Sequence, residues 1–155
     1  KNSKLILKPS GRLDARRLKA EFKNCGVENS LIFKENLKSV KDHLKSYNDI
    51  DLALDTFPYN GVTTSFEAIW MGVPVLTMKG YNFNSRCGES INKNIGMESM
   101  IAKDENDYIN KAIELSKDLE KLISIRKKIF EEAISSPLFN IKNYTNNFFN
   151  LIKNL

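Results

Sequence analysis

The chain has 155 residues, of which 41% are hydrophobic and 28% are charged, and its formal net charge is +5. This composition suits one globular domain and excludes a disordered chain. Its apolar runs are far shorter than the ~20 residues of a membrane-spanning helix, and the start KNSKLILKPSG has too short an apolar part for a signal peptide. Cys25 and Cys87 stand far apart, which argues against a disulfide framework or a zinc site. We expect a cytoplasmic protein without a membrane partner.

The positive charge is spread along the chain. The 24 lysines and arginines exceed the 19 acidic residues, but they are not interleaved with aromatic residues in one block. This spread favours a solvated surface over a nucleic-acid interface. We therefore expect no nucleic-acid partner, and binding of DNA or RNA, which would depend steeply on salt, is the least favoured alternative.

Short apolar runs alternate with amphipathic stretches over the first two thirds of the chain. Strands separated by helices of this length pair in parallel through right-handed crossovers. The pattern therefore predicts an α/β fold with a doubly wound parallel sheet. The predicted elements in chain order are a strand at 4–8, a helix at 13–26, a strand at 30–35, a helix at 37–47, a strand at 50–55, a helix from Thr63 to about Gly72, a strand at 73–78, a helix ending near Gly96 and a short edge strand at 99–104.

Two of these elements carry predictions about burial. The run IDLALD (50–55) is apolar enough to predict a strand buried on both faces. Phe66, Ile69 and Trp70 recur at helical spacing, which predicts that Trp70 packs in the core against the sheet. The two cysteines are predicted to be small buried residues.

The last third of the chain is predicted to be helical. Asp104 can cap a helix at 105–118, a second helix follows at 119–134, and Ser135–Pro137 ends it before a final helix at 141–154. No internal repeat or low-complexity linker interrupts the chain. We therefore predict a single domain over 1–155, with 105–155 as its C-terminal helical extension.

A polar loop, TFPYNGVTTS (56–65), follows the third strand. In open α/β sheets ligands bind beyond the carboxyl ends of the strands, where this loop is expected to lie. Asp55 ends the strand, and acids at such positions commonly cap the next loop. Gly61 allows the backbone to approach a ligand closely or to adopt a positive φ.

The start of the following helix is rich in hydroxyl groups. Thr63 or Thr64 can serve as the N-cap, and a helix N-terminus attracts anions such as phosphate. Glu67, one turn later, is placed to accept hydrogen bonds from a pair of ribose hydroxyls. The simpler alternative is a capped helix after an ordinary turn. No GxGxxG or GxxxxGK[ST] motif is present, so spacing alone leaves both alternatives open.

Four blocks of sequence carry a resemblance to a known family. In order they are NGVTTSFEAIWMGVPVLTMKG, NSRCGESI, NIGMESMIA and SSPLFN. They resemble the catalytic half of the O-linked N-acetylglucosamine transferases and their bacterial and SPINDLY-type relatives, glycosyltransferase family 41, over about residues 4–148. We expect a bacterial member.

The resemblance implies a fold and a reaction. It implies the second, donor-binding Rossmann-like domain of a GT-B enzyme, which carries C-terminal helices. The family transfers a sugar, typically N-acetylglucosamine from UDP-N-acetylglucosamine, to Ser or Thr hydroxyls of proteins with inversion and without a metal or other cofactor. The implied partners are the nucleotide sugar, a protein acceptor, an N-terminal Rossmann-like half and tetratricopeptide repeats of the same polypeptide. This chain would then be inactive alone.

The resemblance also implies the roles of particular residues. Thr63 and Thr64 match the catalytic pair of threonines that holds the diphosphate, and Glu67 matches the acidic position that contacts the ribose. Asn60 and Gly61 match the turn in front of the threonines and are expected to bind substrate.

Two further substrate-binding positions lie outside this loop. His43 matches a histidine that lines the nucleotide pocket, and the nearby segment 37–39 would pass close to the base. A lone histidine on an amphipathic helix is otherwise more often structural or solvated. Arg86 lies where the family has an SR pair that faces the cleft.

The chain departs from the family pattern at three points. Animal members have a histidine where Val62 stands and an arginine that stacks on the uracil where Ser46 stands. Lys45 and Tyr47 are the alternative candidates for stacking on the base. The family lysine that neutralises the leaving diphosphate is expected upstream of the first strand, and Lys8 is not assigned that role. The alternative to an enzyme is therefore a non-catalytic nucleotide-binding or protein-interaction module with the same fold.

Overall fold

The computed structural model describes residues 3–8, 12–35, 37 and 39–154, without the side chains of residues 12 and 13. The chain divides by its internal packing into two compact units, Lys1–Ser46 and Tyr47–Leu155, and each is described by itself. The assignment of 1–155 to one domain with a helical extension stays a prediction.

Among its described residues, unit 1 has two short paired strands, two α-helices and a 3₁₀ turn at Glu28–Ser30. The strands are parallel, with Leu5 opposite Leu31. The first helix ends at Asn24, two residues before its predicted end at Gly26, which has a φ of 69°. The second helix begins later than predicted, because the Ser39 side chain accepts a hydrogen bond from the Asp42 backbone N–H and caps it. The elements are β1 (Leu5–Leu7), α1 (Arg12–Asn24), β2 (Leu31–Phe33) and α2 (Val40–Lys45), and a 3₁₀ turn, Ser46–Asp49, comes next.

Unit 2 has a three-stranded parallel sheet and five helices among its described residues. β4 is the central strand, with Ala53 of β3 opposite Val75 and Ile101 of β5 opposite Thr77. The predicted order of strands and helices is therefore confirmed in this unit. The elements are β3 (Ala53–Leu54), α3 (Thr63–Trp70), β4 (Val75–Met78), α4 (Cys87–Asn94), β5 (Ile101–Ala102), α5 (Glu105–Lys117), α6 (Leu119–Ser135) and α7 (Ile141–Lys153).

The core of unit 2 surrounds β4. Val75, Leu76 and Thr77 are buried because β4 has a neighbouring strand on each side. Side chains from α3, α4 and α6 complete the main core, and a smaller cluster packs around Met100. The prediction that 50–55 is a strand buried on both faces is wrong, since β3 has only two residues and Leu54 is 44% exposed. The main core includes Tyr47, Ala68, Ile69, Val73, Val75, Ile91, Ile95, Ile129 and Ala133.

The side chain of Trp70 is not in the core. It is 44% exposed and packs edge-on against Phe130, with ring centroids 5.4 Å apart, and beside Phe139. The prediction failed because Trp70 faces α6 and the turn after it instead of the sheet. The cysteine prediction is also wrong, since Cys25 is exposed and Cys87 is only half-buried.

Local signals set the ends of several elements. Gly72, at a φ of 74°, follows α3, and the Val73 backbone N–H donates to the Ala68 carbonyl in a Schellman arrangement. The Asp104 side chain caps α5 by accepting from the Asp107 N–H at 2.8 Å. Within the described ranges, no helix is both long and apolar enough to cross a membrane.

Candidate functional site

The loop between β3 and α3 is held by the Asp55 carboxylate. Asp55 Oδ1 accepts a hydrogen bond from the Gly61 backbone N–H at 2.7 Å, and Oδ2 accepts one from the Thr77 hydroxyl at 2.7 Å. The Tyr108 hydroxyl donates to the Asp55 carbonyl at 2.9 Å. Asp55 therefore caps its loop, as predicted, and fastens it to β4.

Burial governs the ionisation of these groups. It raises the pKa of Asp55, and the hydrogen bonds from Gly61 and Thr77 oppose that rise. Burial, aided by the nearby charge of Asp55, also raises the pKa of Tyr108 to about 12. Tyr108 therefore stays protonated at neutral pH and remains a hydrogen-bond donor.

Asn60 lies inside the loop and is only 2% exposed. Its amide nitrogen donates to the Thr56 carbonyl at 2.8 Å, and its amide oxygen accepts from the Gly88 backbone N–H at 3.3 Å. The backbone N–H of Asn60 donates to the Asn84 carbonyl. The side chain thus joins this loop to the start of α4, and a direct contact of Asn60 with substrate stays a prediction.

Gly61 allows a close approach of side chains to the turn. Its φ is not among the positive values, so the left-handed alternative offered by the sequence does not apply. A Cβ at this position would overlap the Thr64 hydroxyl and would lie 3.0 Å from Ser65 Oγ. The missing side chain therefore lets the Thr64 hydroxyl lie over the turn.

Thr63 and Thr64 occupy the first turn of α3. The N-cap is Val62, and no side-chain hydrogen bond caps this end of the helix. The prediction that Thr63 or Thr64 is the N-cap is therefore wrong, because the helix starts one residue earlier than a threonine cap requires. Both threonines are exposed, so their hydroxyls accompany the unpaired backbone N–H groups of a helix N-terminus.

Glu67 lies one turn further along α3 and is half-buried. Its Oε2 accepts a hydrogen bond from the Tyr47 hydroxyl at 3.0 Å, and the same hydroxyl lies 3.3 Å from the Thr64 carbonyl oxygen. Burial and the Glu67 carboxylate raise the pKa of Tyr47, which keeps it protonated. The sequence predicted an apolar helix face for Tyr47, with base stacking as an alternative, and did not predict this contact.

A cleft of about 170 Å³ opens between β3 and the start of α3. Ligand pockets for drug-sized molecules usually span ~300–1,000 Å³. The cleft of unit 2 by itself is therefore large enough for only part of a nucleotide sugar. Its lining consists of Tyr47, Ala53, Leu54, Asp55, Thr56, Gly61, Thr64, Ser65, Ala68 and Val75.

Arg86 belongs to a cluster of charges around Glu89. Arg86 Nε donates to Glu89 Oε2 at 2.7 Å, and Lys93 Nζ donates to Oε1 at 2.9 Å. Lys79 Nζ lies 3.9 Å from the same carboxylate, which is 4% exposed in its side chain. The hydrogen bonds from Arg86 and Lys93 lower the pKa of Glu89 to about 2. Sequence reasoning missed Glu89, although the i, i+3, i+7 spacing of this group on one helix face could have indicated it.

His43 belongs to unit 1, whereas the other candidate residues belong to unit 2. Lys8 Nζ lies 3.1 Å from His43 Nδ1 and 3.2 Å from Ser46 Oγ. An ammonium group can only donate, so Nδ1 accepts and a neutral His43 carries its proton on Nε2. Of the predicted base-proximal segment 37–39, residue 38 lies outside the described residues.

Comparisons with known proteins identify the relatives of this chain. Residues 5–148 match Glycosyl transferase family 41. A probable UDP-N-acetylglucosamine–peptide N-acetylglucosaminyltransferase SPINDLY of Solanum lycopersicum is 36% identical over 74% of this chain and 12% of its own length. A UDP-N-acetylglucosamine–peptide N-acetylglucosaminyltransferase of Caenorhabditis elegans is 30% identical over 82% of this chain and 11% of its own length. The chain thus spans about an eighth of these relatives.

A solved structure is similar in fold as well as in sequence. A mutant of the Thermobaculum terrenum O-GlcNAc transferase superposes with a TM-score of 0.82 and 30% identity, over 94% of this chain and 29% of that one. The TM-score and the sequence identity to this structure both support the predicted Rossmann-like α/β fold of a GT-B glycosyltransferase domain. A bacterial origin stays a prediction. Because the family match covers nearly the whole chain, the chain belongs to glycosyltransferase family 41.

Proposed function

We propose that this chain is the donor-binding domain of an inverting, metal-independent glycosyltransferase. It would move N-acetylglucosamine from UDP-N-acetylglucosamine to Ser or Thr hydroxyls of proteins. The observation that carries the proposal is the uncapped N-terminus of α3, where Thr63 and Thr64 stand beside a turn held by Asp55. Membership of glycosyltransferase family 41 supports the reaction class.

Thr63 and Thr64 act on the leaving group. In an inverting transfer the acceptor hydroxyl oxygen attacks the anomeric carbon and gives up its proton to solvent, and the bond to the diphosphate oxygen breaks with its electron pair going to the diphosphate. Negative charge therefore grows on the diphosphate in the transition state. Two hydroxyl donors and the N–H groups at the start of α3 stabilise that charge, and donors already held in position stabilise it most.

The other candidate residues bind the nucleoside and the sugar. Glu67 accepts hydrogen bonds from the ribose hydroxyls, and His43, with segment 37–43, frames the base. Asn60 and Gly61 shape the turn under the diphosphate, and Arg86 contributes positive charge near the donor. The groups that face the acceptor come from an N-terminal Rossmann-like half of the same polypeptide, which also carries tetratricopeptide repeats, and the protein acts in the cytoplasm.

Titration calorimetry of the full-length protein with uridine, UMP and UDP tests the donor site. The wild-type protein gains affinity with each phosphate. Changing Thr63 and Thr64 to Ala leaves uridine binding intact and lowers UDP affinity about 100–10,000-fold, since two hydrogen bonds to charged groups contribute about 1.5–3 kcal/mol each and about 1.4 kcal/mol is tenfold in affinity. Thr145→Ala, at an exposed position of α7, is the matched control.

Two results would contradict the proposal. A folded wild-type protein that gives no heat with any uridine nucleotide rules out the donor site. UDP affinity that is unchanged in the double threonine variant rules out the diphosphate assignment. Metal independence has its own test, because transfer from UDP-N-acetylglucosamine then persists in excess EDTA.

Val62 favours a second candidate, a non-catalytic nucleotide-binding module. An apolar, 47% exposed N-cap brings no polar side chain to the anion end of α3. Such a module would bind UDP without transferring sugar. Incubation of the full-length protein with labelled UDP-N-acetylglucosamine and a mixture of acceptor proteins separates the candidates, because only the enzyme labels protein.

A further inference from the structure

The Tyr47 hydroxyl occupies a fixed position against α3. Its side chain is 8% exposed and belongs to the main core of unit 2, which also contains Ala68 and Val75. A ring held on several sides by core residues has few alternative rotamers. The hydroxyl at its tip therefore has little freedom, although it reaches the wall of the cleft.

Among the described residues, two acceptors lie within reach of this hydroxyl, which has one proton to donate. Glu67 Oε2 lies 3.0 Å away and the Thr64 carbonyl oxygen 3.3 Å away. The Glu67 carboxylate is the closer acceptor and carries a charge, so the Tyr47 hydroxyl donates its hydrogen bond to it. The bond thus links the core to the carboxylate, and the same hydroxyl also lies near the Thr64 carbonyl oxygen.

The last side-chain torsion of glutamate is broad and roughly two-fold, so an unrestrained carboxylate rotates easily. The hydrogen bond at Oε2 restrains this rotation. Because the carboxylate is planar, the bond also restrains the direction of Oε1. A carboxylate binds a vicinal diol well only when both of its oxygens keep a set orientation. Free rotation would have to be lost on binding, at a cost in affinity.

We propose that Tyr47 is a positioning residue for the donor site, which orients the Glu67 carboxylate toward the two ribose hydroxyls and so sets the preference for ribonucleotides over deoxyribonucleotides. The inference rests on the proposed function, because it takes Glu67 as the ribose-binding group. It gives Tyr47 a positioning role, which differs from the stacking on the base that the sequence offered as an alternative.

Tyr47→Phe is the informative variant, because it keeps the ring in the core and removes only the hydroxyl. The measurement is the affinity of the full-length protein for UDP, 2′-deoxy-UDP and 3′-deoxy-UDP. The wild-type protein prefers UDP, and the variant reduces that preference about 3–10-fold while its affinity for pyrophosphate stays unchanged. Tyr144→Phe, on the exposed face of α7, is the matched control.

A merely structural role of Tyr47 would lower the melting temperature and leave the ratio of affinities as it was. Glu67→Gln abolishes the preference, and the double variant Tyr47→Phe/Glu67→Gln shows no further loss, because Tyr47 acts only through Glu67. If Tyr47→Phe leaves the ratio of UDP to deoxy-UDP affinities unchanged while Glu67→Gln abolishes the preference, the positioning role of Tyr47 is wrong. The ribose-binding role of Glu67 then still stands. Absence of UDP binding by the wild-type protein overturns the proposed function and this inference together.

Discussion

The Asp55 carboxylate and the Gly61 backbone nitrogen lie 2.7 Å apart, so the end of β3 holds the turn that leads into α3. The second oxygen of the same carboxylate accepts from Thr77 on the central strand. One side chain therefore couples the position of the candidate anion site to the core of unit 2. Changes at this point are expected to alter stability and ligand affinity together.

Asp55→Ala removes the acceptor from the Gly61 N–H and from the buried Thr77 hydroxyl. Leaving such donors unpaired costs about 1–3 kcal/mol in the free energy of unfolding. Asp55→Asn costs less, because the amide oxygen still accepts from Gly61 while its NH₂ donates to the Thr77 oxygen. Chemical denaturation measures both values. Asp51→Ala, at an exposed position, is the control, and equal losses in Ala and Asn variants would contradict this account.

Gly61→Ala is expected to weaken UDP binding more than it lowers stability. The added Cβ would overlap the Thr64 hydroxyl, which is the end of an exposed side chain and can rotate away. The fold then survives, but the hydroxyl no longer lies over the turn. Calorimetry with UDP and a thermal melt give the two quantities. If the effect passes through Thr64, Gly61→Ala causes little further loss of affinity in a Thr64→Ala background.

Gly88→Ala is expected to destabilise the protein strongly. A Cβ at the start of α4 would overlap Thr77 Oγ1 and Asp55 Oδ2 and would lie 2.8 Å from Thr77 Cβ. All of these atoms lie in buried or half-buried residues fixed by their own hydrogen bonds. Overpacking of this kind costs about 1–3 kcal/mol. Ser90→Ala, at an exposed position of the same helix, should leave the denaturation midpoint nearly unchanged.

The lowered pKa of Glu89 predicts that the protein loses stability at acidic pH. Its pKa falls from an ordinary value of 4.5 to about 2 in the folded protein. The pKa of Glu89 is lower in the folded protein than in the unfolded chain. The ionised carboxylate therefore stabilises the fold at pH values above the unfolded pKa, and this stabilisation is lost as the pH falls toward the folded pKa. The contribution is about 1–3 kcal/mol, reduced by the half-exposed cations.

Denaturation of wild-type protein and Glu89→Gln at a series of pH values measures this contribution. The variant is less stable than wild type at neutral pH, and the difference shrinks between about pH 5 and pH 2. Glu98→Gln, at an exposed position, shows no such convergence. A difference between wild type and Glu89→Gln that is constant across this range would contradict the role of the ion pairs.

Several features of unit 2 were predictable because their signals are local. The alternation of apolar runs and amphipathic stretches predicted the order of β3, α3, β4, α4 and β5. Gly72 and Asp104 predicted helix ends, since a left-handed residue or a capping side chain acts within a few residues of itself. Four ordered sequence blocks were enough to indicate the family, which the match over 5–148 confirms.

The failed predictions share a cause. Helical spacing predicts which side chains share a helix face, but it does not predict which part of the protein packs against that face. Trp70 faces other aromatic side chains at the surface, and Leu54 lies in a strand with a single hydrogen-bonded neighbour in its described sheet. The N-cap of α3, Val62, was missed because hydroxyl residues suggested a side-chain cap that this helix does not use.

The amino-acid sequence by itself determined the fold class, the family and the cluster Asn60, Gly61, Thr63, Thr64 and Glu67, because these depend on periodicity and on residues close together in the chain. Only the tertiary structure decided how that cluster is held. Tyr47 reaches Glu67 across 20 residues, Asp55 reaches Thr77 across 22, and Asn60 reaches Gly88 across 28. Such contacts arise where strands and helices pack, and packing partners follow from the whole fold and not from local propensity.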